Sequence, residues 1–82
     1  MTISAQIAVY PLRQERLTPT VTAVSAALQA AGLQPEVGPM STLVTGEPTA
    51  VFRGLEAAFS RAGALGHVVM TITVSNACPV AT

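Results

Sequence analysis

Apolar and polar residues alternate with period two near both ends of this chain, and apolar residues recur at helical spacing twice in between. Over residues 3–10, Ile3, Ala5, Ile7 and Val9 fall on one face and Ser4, Gln6, Ala8 and Tyr10 on the other. That is the pattern of a half-buried strand, and Pro11 ends it. Residues 67–76 repeat it, with Val68, Met70, Ile72 and Val74 opposite Val69, Thr71, Thr73 and Ser75. Val21, Val24, Leu28 and Ala31 predict a helix over about 18–31, with Thr18-Pro19 as cap and first turn and Gly32 just past its end. Val51, Phe52, Leu55, Phe59 and Ala62 predict a second helix, opened by Glu47-Pro48 and ended by Gly63. Gly54 inside it costs about 1 kcal/mol against alanine; a close neighbouring backbone would explain it, and so would plain tolerance. Short strands are expected near 34–38 and 40–45, joined by the turn formers Gly38-Pro39. Pro35 gives the first of them an edge position, because proline lacks the ladder donor.

The predicted order β-α-β-β-α-β is the ferredoxin-like arrangement of the α+β class, a four-stranded antiparallel sheet with both helices on one face. Residues 1–82 make one such domain. Strand alternation then sends Ile3, Ile7, Val9, Met70, Ile72 and Val74 toward the helices. It sends Ser4, Gln6, Tyr10, Val69, Thr71 and Thr73 to the open face, which carries no charge.

Composition changes this picture in one respect. Half the residues are hydrophobic, a tenth are charged and the mean hydropathy is +0.54. A small monomer ordinarily carries roughly a quarter or more charged residues on its surface, and a chain this short buries only about 60–65% of its unfolded surface. Self-association through the open sheet face is therefore expected. The four arginines (Arg13, Arg16, Arg53, Arg61) balance four glutamates, with no lysine and no aspartate. They form no basic stripe, so nucleic-acid binding is not expected. A lone cysteine, Cys78, suits a reducing compartment. No signal peptide is evident and no apolar run is long enough to span a membrane, so the expected location is the cytoplasm.

Reactive chemistry is scarce. The one histidine, His67, and Cys78 bracket the last strand and would stand roughly 30 Å apart, too far for a nucleophile and its base. Glu15, Glu36, Glu47 and Glu56 fall on separate turns and helix faces. One histidine, one cysteine and no aspartate leave no metal site, and no cofactor is expected. The chain reads as a non-enzyme. Recognition groups are better represented. Met40, Ser41, Thr42 and Thr45 mix a thioether with hydroxyls beside the Gly38-Pro39 turn, the blend typical of small-molecule pockets. Tyr10 offers a flat ring with a hydroxyl, and Ser75, Asn76 and Cys78 form another polar group. Each has a plain structural reading as well: strand hydroxyls facing solvent, Tyr10 capping the core, Asn76 starting a turn, and Glu47 complementing a helix dipole.

Three segments together carry a resemblance: Ile7-Ala8-Val9-Tyr10-Pro11-Leu12; Met40-Ser41-Thr42-Leu43-Val44-Thr45-Gly46 with the following Val51-Phe52 helix; and His67-Val68-Val69-Met70 through Ser75 to Cys78-Pro79. In this order, over about residues 3–79, the chain resembles the YkoF-like thiamine/hydroxymethylpyrimidine-binding family. The resemblance implies a ferredoxin-like domain that binds thiamine or its pyrimidine half without catalysis, in salvage or transport of thiamine precursors. Some members carry two such domains in tandem; the single one here is expected to pair with itself. On this reading Tyr10, Met40, Ser41, Thr42 and Asn76 meet an aminopyrimidine, and Glu47 favours the cationic thiazolium. The rival expectations are a regulatory module of the same fold for another small metabolite, and a small dimeric isomerase or monooxygenase.

Overall fold

The computed structural model describes residues 1–77 and contains six elements: β1 (Ile3–Pro11), α1 (Thr18–Ala30), β2 (Glu36–Val37), β3 (Thr42–Gly46), α2 (Pro48–Ala64) and β4 (Val68–Ser75). The strands form one antiparallel sheet in the order β2-β3-β1-β4. Both helices pack on one face, giving the expected α+β ferredoxin-like architecture. Cys78 and Pro79 lie outside the described residues, and so does the expected separation of Cys78 from His67.

Local chemistry sets the element ends, in three places differently from expectation. Thr18 is the first helical residue rather than the cap; Leu17 holds the cap position without a side-chain bond. Gly32 does terminate α1, with φ of +89°. Its N–H donates to Gln29 O at 3.0 Å and that of Leu33 to Leu28 O at 3.1 Å, the paired bonds of a Schellman motif. Gly63 does not stop α2, because nothing there forces a left-handed turn; the chain continues to Ala64 and turns at Gly66, whose φ is +148°. The second strand shrinks to Glu36–Val37, so Pro35 precedes the edge strand instead of lying in it.

The core lies between the helices and the middle strands, built from Ile3, Ala5, Ile7, Val44, Val24, Leu28, Leu33, Val51 and Leu55 with small alanines between them. Gly54 of α2 packs against the C-terminal end of α1 and the Leu33 that follows it. A Cβ there would stand 2.7 Å from Leu33 Cδ1, 3.3 Å from Leu28 Cδ2 and 3.4 Å from Ala31 Cβ. Neighbouring side chains, rather than a neighbouring backbone, are the reason for glycine at this position. The helix-facing alternation of β4 holds, but burial does not follow it. Ile72 and Val74 stay 40% and 39% exposed, because β4 is an edge strand that α2 only partly covers.

Candidate functional site

The site arises from a mismatch in strand length. β1 pairs with β4 from Ser4 to Pro11, but with β3 only from Ile3 to Ile7. Past Ile7, the β2–β3 hairpin replaces a ladder partner. Gly38 N–H donates to Ser41 O at 2.8 Å and closes that hairpin around Pro39 and Met40. Pro11 is tolerated within β1 because its missing donor falls on this unpaired side.

The gap is a cavity of about 360 Å³. Residues 7–11 of β1 form one wall and Val37–Thr42 the other, with the cap residue Leu17 and Val21 and Val24 of α1 as the roof. The volume sits at the low end of the range for small-molecule pockets. A shallower depression of about 240 Å³ lies on the open face and adds Gln6, Thr71 and Thr73. The two share Ala8, Tyr10, Met40 and Ser41, so the cleft borders both faces of the sheet. Its walls are mostly apolar. The polar groups are the Tyr10 hydroxyl, the Thr42 hydroxyl on the buried helix side, and Ser41, whose Oγ accepts from Gln6 Nε2 at 3.2 Å. Met40 is 84% exposed and forms the rim.

The six residues expected to share one ligand therefore do not come together. Tyr10, Met40, Ser41 and Thr42 line the cleft. Glu47 and Asn76 flank Met1 at the other end of the sheet: Glu47 Oε2 lies 3.6 Å from the Met1 amino group, and Asn76 Nδ2 donates to Met1 Sδ at 3.8 Å. Gly46 pairs with Ile3, seven residues from Tyr10 along β1. At about 3.3 Å per residue this places Glu47 roughly 23 Å from Tyr10. Glu47 does occupy the helix-cap position, though its side chain makes no cap bond. Thr45 also lies at the far end, its hydroxyl 3.5 Å from Ser4 Oγ.

Sequence reasoning missed the roof and the extension of β1. Val21 and Val24 follow helical spacing and read as helix face, and Leu17 is not singled out; only the shortness of β3 leaves them facing a void. Val9 and Pro11 read as strand and strand end. Among the described residues there is no cluster of three metal-ligating side chains, and no helix is long and apolar enough to cross a membrane.

Fold and cleft together define a small ferredoxin-like α+β domain with an apolar, ligand-sized cavity at one end of its sheet. The sequence matches the model of the YkoF-related family over residues 2–81, and the chain belongs to that family. Solved structures of similar shape include a Streptococcus pneumoniae protein with 25% identity and a TM-score of 0.86, covering 99% of this chain and 92% of that one. A hypothetical protein of Methanocaldococcus jannaschii has 16% identity and a TM-score of 0.84, with 95% and 82% covered. A candidate thiamine biosynthesis or salvage protein of Thermotoga maritima has 19% identity and a TM-score of 0.80, with 92% and 83% covered. No curated protein matches the chain.

Proposed function

We propose that this domain binds thiamine or its hydroxymethylpyrimidine half without transforming it, in salvage or transport of thiamine precursors. The observation that carries the reading is the cleft between β1 and the β2–β3 hairpin. It is apolar, of small-ligand size, and edged by three hydroxyls, in a chain of the YkoF-related family. The thiamine connection of the Thermotoga relative points the same way. Among the described residues the lining holds no carboxylate, imidazole, thiol, guanidinium or amine, which supports binding over catalysis. It also sharpens the ligand. With Glu47 at the far end, no carboxylate among the described residues of the cleft pairs with a thiazolium, so the pyrimidine half should bind about as tightly as whole thiamine.

Titration calorimetry with both compounds tests this. A ligand at a hundredfold excess over Kd stabilises the fold by about 2.7 kcal/mol, a melting shift of about 10 °C or more for a domain of this size. Absence of heat and of any shift with either compound at millimolar concentration would overturn the assignment.

In the same reading the protein works in the cytoplasm as a homo-oligomer, with the open sheet faces of two copies packed together. Tyr10, Thr71 and Thr73 then cover the outer mouth of the cleft, and the uncharged face leaves solvent. Sedimentation should show an oligomer that Thr71→Glu reduces to monomer without loss of helical circular dichroism. A wild-type monomer at micromolar concentration contradicts the interface.

A further inference from the structure

The gap beside β1 exposes main-chain groups as well as side chains. Leu12 N–H donates to His67 O at 2.8 Å, which fixes the phase of the β1–β4 ladder. Ser4, Gln6, Ala8 and Tyr10 turn their N–H and C=O groups toward β4, and Ile3, Ala5, Ile7 and Val9 turn theirs toward β3. The β3 ladder ends at the Ile7–Thr42 pair. Val9 is the next residue facing that way, and among the described residues no group pairs with its N–H or its C=O. Val9 lines the cavity and is half-buried. A donor and an acceptor held side by side on a rigid strand therefore border an apolar cavity, where unpaired polar groups are costly.

We propose that the main chain of Val9 is the specificity element of the cleft: the bound ring takes the place of the next β3 residue and pairs with Val9 N–H and C=O at once. The ligand class follows from that geometry. It is a flat ring carrying an acceptor nitrogen next to an amino donor, so that ring nitrogen accepts from Val9 N–H and amino group donates to Val9 C=O. Such a ring lies in the plane of the sheet, with Leu17, Val21 and Val24 against one face and Met40 and Tyr10 at its outer edge. An aminopyrimidine has this edge; a ring of the same size without the amino group can accept from Val9 N–H but leaves Val9 C=O unpaired. This inference rests on the proposed ligand reading and adds which atoms read the ring.

Amide exchange on isotope-labelled protein, with and without hydroxymethylpyrimidine, tests it directly. The amides of Ala8 and Tyr10 are already held by β4. That of Val9 exchanges fast in the free protein and slows by roughly tenfold or more at saturation. Calorimetry with the analogue lacking the amino group shows affinity weakened roughly 10- to 100-fold, the effect of leaving Val9 C=O unpaired. Val9→Pro removes the donor without breaking a ladder bond, as Pro11 does two residues on, and weakens binding to a similar degree while the melting curve shows a folded domain. If that variant fails to fold, the exchange and analogue measurements decide. Binding that leaves Val9 exchange fast, or equal affinity for the two compounds, overturns this inference and leaves the proposed function standing. Binding of neither compound overturns both.

Discussion

Replacing Leu28 by alanine is expected to cost about 3–5 kcal/mol, the upper part of the range for such truncations. Leu28 is fully buried on α1. Its Cδ2 stands 3.3 Å from the position a Cβ on Gly54 would occupy, and its carbonyl accepts the Leu33 N–H that closes the helix. The site has little means of collapse. Gly54 offers no side chain to fill the hole, and Leu33 is held by the Schellman turn. A domain of this length has roughly 4–12 kcal/mol of total stability at the usual value per residue, so one truncation removes a large share of it. Urea unfolding should show the loss in the midpoint with little change in slope, and melting should fall by about 12 °C or more. Ile72→Ala, at a side chain 40% exposed, should cost much less. A Leu28→Ala cost below about 1 kcal/mol would mean that the two helices do not lock at Gly54.

Side-chain periodicity made most of this fold legible. The alternation of Ile3, Ala5, Ile7 and Val9 named the buried face of β1, and the same rule in β4 gave the correct face for Ile72 and Val74. Periodicity reports direction, not cover. Whether a helix lies above a strand depends on its place in the sheet, and β4 is at the edge. Helix ends were legible where a residue must adopt a special conformation, as Gly32 does, and illegible where two glycines competed, as Gly63 and Gly66 did.

The candidate site was partly legible for a related reason. Tyr10 and the residues Met40–Thr42 stood out by chemistry and do line the cleft. Glu47 and Asn76 stood out equally, yet they sit at the opposite end because antiparallel register decides which strand ends meet. Register is a property of two strands and their turn together. No single segment shows that β1 outruns β3 by four residues, although that overhang creates both the cavity and the unpaired main chain of Val9. The groups with the most evident chemistry in the sequence are thus not all in the cleft, and the cleft's own polar groups include main-chain atoms that no residue type announces.

Filling the cleft from above should separate stability from recognition more sharply than any polar substitution. Val21 is a half-buried roof residue of α1, and Val21→Phe directs a ring into the void of about 360 Å³. The larger side chain occupies existing space, so the overpacking penalty of about 1–3 kcal/mol for a filled core does not apply. New apolar burial contributes about 25 cal/mol per Å², and the melting temperature should stay level or rise. Affinity for hydroxymethylpyrimidine should fall roughly 100-fold or more, since the ring must give up both the apolar roof and its approach to β1. Gln6→Ala supplies the contrast. It removes the bond to Ser41 Oγ and opens only the shallow depression, so its effect should be several-fold at most. If Val21→Phe binds as tightly as the wild type while Gln6→Ala loses affinity, the ligand sits on the open sheet face. The space beneath α1 is then a packing void left by the shortness of β3.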